Sequence, residues 1–299
     1  MNRIAALLAP LIGRLESHWP RLPDFIHLTR LNRPIGIFVL LWPALGALWI
    51  AGNGRPDLSL VVIFILGTIV MRAAGCCIND FADANVDGDV LRTENRPIVT
   101  GRVSRNEALQ CFLVLTAIGA FLLLFTNRLT FYMAFGAVAL AAIYPFMKRH
   151  THLPQVVLGM AFSWAILMAF TAQAGEIPPA AWLLYVANCL WTVAYDTEYA
   201  MVDREYDLKI GVKSTAILFG DADKAMVGVL QMMFLGALLL AGLQFQLGAF
   251  YYLSLVLAGM ALGYQQWLIR DRDVSGCFEA FLSNHWVGLI LFAGVVLGT

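Results

Sequence analysis

Charge is what this sequence has least of. Of its 299 residues only 13% are Asp, Glu, Lys or Arg, against 60% hydrophobic residues and a mean hydropathy of +0.73. A soluble domain carries about 25% charged residues, so that class is excluded and an all-α, polytopic membrane protein is expected. Cysteine is also thin. The five, Cys76, Cys77, Cys111, Cys189 and Cys277, lie in or beside apolar runs. None forms a CxxC pair and no His/Cys group has zinc spacing, so they read as reduced packing residues. The formal net charge is zero, which says nothing about partners; the distribution of charge does. Neither a nucleic acid nor an obligate protein partner is expected.

What is abundant is long apolar runs. A membrane span needs about 20 mostly apolar residues, and nine candidates emerge, at approximately 35–52, 58–79, 108–126, 130–147, 155–173, 180–199, 225–244, 248–269 and 279–298. Residues 1–23 read as an interfacial segment, an amphipathic helix with Ile4, Leu7, Leu8, Leu11, Ile12 and Leu15 at helical spacing and a bend at Pro10. Residues 24–299 read as one transmembrane domain. Two connections are long, roughly 80–107 and 200–224. Alternate connections, beginning with the segment before the first span, hold 17 of the Lys and Arg residues; the opposite face has Arg55 and Arg128, and Arg72 falls inside span two. The positive-inside rule then puts the N-terminus and both long connections in the cytoplasm.

The scarce acids are concentrated in and just before these two connections: 80–107 and 196–223 hold 13 of the 20 Asp and Glu residues. Asp80, Asp83 and Asp87 stand at i, i+3, i+7, with Asn79 beside Asp83 at i, i+4; Asp196, Tyr199, Asp203 and Asp207 stand at i, i+3, i+7, i+11. Each set shares one helix face. Like charges at i, i+4 repel, and near hydrocarbon each acid costs energy, so such stripes call for a cation. Mg²⁺ takes oxygen ligands and commonly bridges a few carboxylates to substrate phosphates. Two stripes suggest ions gripping one diphosphate from both sides. Arg92 and Arg96 after the first stripe and Lys213 after the second suit phosphate contacts. Arg72, seven residues before Asn79, is a functional candidate because it is embedded. Tyr144, Lys148 and Arg149, at the end of span four, are similar candidates. His285 reads as a satisfied core histidine.

Asn79-Asp80-x-x-Asp83-x-x-x-Asp87 resembles the first aspartate motif of the UbiA membrane prenyltransferases, and Asp203-x-x-x-Asp207, inside YDTEYAMVDREYD (195–207), resembles the second. Finer stretches are similar to the bacterial 4-hydroxybenzoate polyprenyltransferase branch: RLNRPIG (30–36), LLWP (40–43), MRAAGCCIND (71–80), RTENRP (92–97), YPFMKR (144–149) and KSTAILFG (213–220). One departure is Tyr206, where many members carry an acid. The resemblance implies nine helices around a central cavity with cytosolic caps in the inner membrane. It also implies transfer of a polyprenyl chain from its diphosphate to 4-hydroxybenzoate in ubiquinone synthesis. It implies metal and diphosphate duties for Asn79, Asp80, Asp83, Asp87, Asp203 and Asp207, with Asp196 in the same run. Phe81, Phe162, Trp164, Trp191, Tyr195 and Tyr199 are rings that could face an allylic cation. The competing readings are a divalent-cation transporter, which needs polar residues through its depth and at both mouths although the outward loops offer little beyond Asp57 and Glu176, and prenylation of a different aromatic acceptor.

Overall fold

A computed structural model of the chain describes residues 19–84 and 95–299. Every regular element among them is a helix. A short α1 (Leu22–Leu28) precedes α2 (Ile35–Ala51), α3 (Leu58–Asp83), α4 (Arg105–Leu123), α5 (Arg128–His150), α6 (Pro154–Ala174) and α7 (Ala181–Ile210). A five-residue α8 (Thr215–Phe219) leads into α9 (Asp223–Gln244), α10 (Ala249–Leu268) and α11 (Val274–Gly298). Nine of these are long and fall on the nine apolar runs. Six segments, among them α3 to α6 and α11, meet length and composition criteria for crossing a membrane, and α2 is a shorter apolar helix. Residues 1–18 and 85–94 lie outside the described residues, and with them most of the interfacial segment, Asp87 and Arg92.

Local chemistry sets the helix ends. Asn127 caps α5 by accepting from Thr130 N at 2.9 Å, and Asp273 caps α11 by accepting from Gly276 N at 2.8 Å, each satisfying an otherwise orphaned donor. Pro154 begins α6, where its missing N–H costs nothing. Gly175, at φ 76°, ends the same helix in a left-handed turn that suits glycine.

The chain divides into two compact units, one of residues 1–34 and 70–117, the other of 35–69 and 118–299. In the first, Leu28, Cys77, Val103 and Ala108 form a small core. In the second, α6 packs on α2, α5 and α7, while α11 packs on α2, α7 and α10, and α7 also packs on α9. Leu48, Leu167, Phe170, Trp191, Tyr251 and Val287 lie at its centre. Large apolar residues such as Phe135, Met232, Val256 and Met260 are exposed on the outer faces of α5, α9 and α10, as lipid-facing surface requires.

One expectation is corrected. Residues 200–224 are not a long loop: α7 continues to Ile210. Hydropathy ends the span at 199, but Asp, Arg, Glu and Lys remain compatible with a helix once it leaves hydrocarbon.

Close backbone approach makes some glycines irreplaceable. A Cβ on Gly294 would lie 2.0 Å from Ser254 Oγ and 2.3 Å from Ser254 Cβ. Gly294→Ala is expected to cost about 1–3 kcal/mol, seen as a lower unfolding temperature of the purified protein in detergent.

Candidate diphosphate site and a polar core behind it

In the first unit the last turns of α3 carry Asn79, Asp80 and Asp83. Asp80 is 1% exposed and Asp83 8%; Asn79 is half-buried. Asp80 Oδ1 accepts from Arg30 Nη2 at 2.5 Å and lies 3.1 Å from Arg96 Nη1. Asp80 Oδ2 has no hydrogen-bond partner among the described residues. A buried carboxylate needs compensating charge, and here two guanidiniums supply it. Arg96 was expected beside the acids. Arg30 was not singled out as a site residue, although it opens the RLNRPIG stretch. Its backbone is left-handed, at φ 57°, a turn after α1 uncommon for a non-glycine residue.

Neighbouring basic residues fix the same unit. Arg105 donates to Phe81 O at 3.3 Å with its guanidinium 5.0 Å from the Phe81 ring centroid. Arg102 donates to Asp24 Oδ1 and Asn95 O. Arg72 is half-buried and donates to Cys76 Sγ at 2.8 Å, while its Nε has no partner among the described residues. It stands one α3 face with Asn79, as the spacing predicts.

In the second unit, Asp196, Tyr199, Asp203 and Asp207 share one face of the unbroken α7 and are all half-buried. Gly211, at φ 71°, ends the helix, its N–H donating to Asp207 O. The chain then returns to the end of α5: Lys213 N donates to Lys148 O at 3.1 Å, and Lys213 Nζ to His150 O at 3.4 Å. Lys213 is therefore tied to the backbone at the end of α5, the helix that carries Tyr144, Lys148 and Arg149. Asp223, fully buried, accepts from Arg272 Nε at 3.0 Å and Arg204 Nη1 at 3.4 Å, and its carboxylate raises the pKa of the Arg272 guanidinium. Arg204 stands next to Asp203, so this cluster anchors the acid-bearing end of α7.

The opposite face of α7 holds an acid that the sequence analysis counted but did not single out. Glu198 is fully buried; its carboxylate accepts from Asn284 Nδ2 at 3.0 Å and Gln231 Nε2 at 3.2 Å. Gln231 Nε2 also reaches Gln265 Oε1 at 3.0 Å, and Gln265 donates to Ser283 Oγ at 2.9 Å. The available signal was the presence of Gln231, Gln265 and Asn284 inside otherwise apolar runs. His285 is half-buried, with Nδ1 2.7 Å from Leu282 O, the satisfied histidine expected. All five cysteines are free.

Rings divide by role. Tyr199, Phe281, Tyr195 and Trp191 form a ladder with centroids 4.7, 6.2 and 5.3 Å apart in that order. Trp164 instead donates to Met133 O at 2.8 Å and meets Tyr185 edge-on, which is packing. A small cavity of about 70 Å³ lies in the second unit, lined by Trp42, Asn188, Trp191, Phe234, Tyr251 and Phe292 among others.

No set of three or more His, Cys, Asp or Glu side chains is gathered for a metal among the described residues. The acids fit Mg²⁺ in kind: all are hard oxygen donors, and Asp80 Oδ2 is a buried anionic oxygen without a partner among the described residues.

Residues 40–293 match the UbiA prenyltransferase family. A 4-hydroxybenzoate octaprenyltransferase of Pseudomonas syringae pv. syringae is 60% identical over 286 residues, 96% of this chain and 97% of that one. The chain belongs to the UbiA prenyltransferase family. A protein of the same description from Pseudomonas putida is 58% identical over 287 residues, again 96% of this chain and 97% of the other. Among solved structures, the apo form of a UbiA homolog from Aeropyrum pernix matches with TM-score 0.78 at 25% identity, covering 88% of this chain and 97% of that one. A UbiA homolog from Archaeoglobus fulgidus bound to GPP and Mg²⁺ matches with TM-score 0.69 at 18% identity, covering 91% and 99%, and supports the fold alone. The long apolar helices and the family together make this an integral membrane protein.

Arg30→Ala leaves Asp80 with one fewer charged donor and is expected to cost about 1.5–3 kcal/mol. Thermal unfolding in detergent checks it, with Arg30→Lys expected to lose less.

Proposed function

We propose that this chain transfers a polyprenyl group from polyprenyl diphosphate to the 3-position of 4-hydroxybenzoate, releasing diphosphate, in the bacterial inner membrane with the acid-bearing helix ends on the cytoplasmic side. The observation that carries the reading is the pairing of these acid rows with 60% identity, along 96% of the chain, to a 4-hydroxybenzoate octaprenyltransferase. Prenylated 4-hydroxybenzoate is a precursor in ubiquinone synthesis, the pathway that the motif resemblance implies.

Asn79, Asp80, Asp83, Asp87, Asp203 and Asp207 are the residues that would hold Mg²⁺, with Asp196 in the same row. Bound there, Mg²⁺ supplies charge stabilisation for the departing diphosphate. Arg92, Arg96 and Lys213 bind diphosphate oxygens, Arg96 doing so while it also neutralises Asp80. The faces of Tyr199 and Phe281 stabilise positive charge on the allylic carbon as the C–O bond breaks. The apolar second-unit core excludes water that would quench it. Arg72, or Lys148 and Arg149 beside Tyr144, orient the acceptor carboxylate so that the ring carbon ortho to the phenol meets the cation; the new C–C bond forms there and the proton on that carbon then leaves to solvent as aromaticity returns.

Two outcomes are expected in an assay of purified protein with polyprenyl diphosphate and several aromatic acids. Asp83→Ala lowers kcat/KM on the order of 10²–10³-fold while the protein still inserts and purifies, and chelation of Mg²⁺ silences the wild type. Arg72→Ala raises the KM for 4-hydroxybenzoate about tenfold, the loss of one charge-assisted contact, with little change in kcat. Full activity of the first variant contradicts diphosphate binding by the acid row; an unchanged acceptor KM in the second removes Arg72 from its role. Preference for a naphthoate or homogentisate would revise the acceptor.

A further inference from the structure

The polar chain behind the acid row has no part in the reaction as described. Glu198 Oε2 accepts from Asn284 Nδ2, and Asn284 Oδ1 accepts from Trp191 Nε1 at 2.7 Å. Because the Asn284 amide donates to a carboxylate on one side, its oxygen must face the indole on the other. Trp191 is thereby held at both its polar edge and its face. It stacks on Phe234 with centroids 5.5 Å apart and planes 6° apart, and meets Tyr195 at 84°.

Trp191 is a wall of the second-unit cavity. One turn beyond Asn284 on α11, Gly288 keeps that wall in place: a Cβ there would lie 3.1 Å from Trp191 Cη2 and 2.7 Å from Trp42 Cδ1. An indole can pack in an apolar core without three buried polar side chains behind it. Burying such groups is costly unless each is satisfied, and a satisfied network fixes one arrangement of the side chains it joins. The arrangement fixed here is the bore of an apolar cavity. The ladder from Tyr199 through Phe281 and Tyr195 leads to it from the acid row. Twelve residues separate Asp203 from Trp191, about 18 Å along the helix.

We propose that Glu198 and Asn284 are positioning residues for donor length: they hold Trp191 as the surface on which the distal isoprene units of a long-chain donor pack. The inference rests on the transferase reading above. It assigns the cavity to the part of the donor that a short prenyl diphosphate lacks.

The test uses full-length protein in lipid nanodiscs with Mg²⁺ and 4-hydroxybenzoate, comparing dimethylallyl, geranyl, farnesyl and octaprenyl diphosphates. Asn284→Leu and Trp191→Phe should each raise the KM for the octaprenyl donor about tenfold, the loss of one buried hydrogen bond that locates the ring. Dimethylallyl kinetics should stay within about twofold, because that donor is too short to touch the wall. The double variant should be no worse than either single one. Glu198→Gln retains an oxygen for Asn284 and should keep the wild-type length preference. Trp191→Phe preserves the stacking on Phe234 and carries the test if Asn284→Leu fails to fold. Parallel losses for short and long donors, or no change with either, overturn the positioning role. An inactive wild type with every donor overturns the transferase reading instead.

Discussion

Burying a carboxylate is the constraint around which this protein is organised. Near hydrocarbon an unpaired anion is so unfavourable that each buried acid must have its compensation built in or delivered. The described residues show three solutions. Asp80 is paired with two arginines. Asp223 is likewise held between Arg204 and Arg272. Glu198 has no cation beside it in its hydrogen-bond network and is held by two side-chain amides. The row on the other face of α7 is only half-buried, where water, cations and substrate can reach it. Along α7, full burial thus goes with the acid that organises structure, Glu198, and partial exposure with the row on the other face.

Much of this was legible from sequence. Nine apolar runs located nine long helices because hydropathy over about 20 residues is a coarse signal that survives local detail. The common face of Asp196, Tyr199, Asp203 and Asp207 followed from helical periodicity alone, and the motifs pointed to a family that matches over most of the chain. The extent of α7 was not legible, since hydropathy detects where a helix leaves the membrane and not where it ends.

Two contacts were out of reach for a different reason. Arg30 meets Asp80 across 50 residues of sequence, and a positive charge ahead of the first span looks like any other topological determinant. Glu198 and Asn284 are 86 residues apart. Glu198 sits within a conspicuous acidic run, yet two positions past Asp196 it points to the other side of the helix. Only its partners reveal it as a structural group and separate it from its acidic neighbours.

The unbroken course of α7 has one further consequence. Its 30 residues span about 45 Å, more than the hydrocarbon core is thick, so cavity wall and acid row are cut from a single rigid rod. Side chains between Trp191 and Asp203 can vary in evolution as long as their number does not. One residue gained or lost there rotates everything beyond it by about 100°, turning either the indole or the carboxylates away from their places. Gaps in this segment should therefore be far rarer among functional relatives than exchanges of one residue for another.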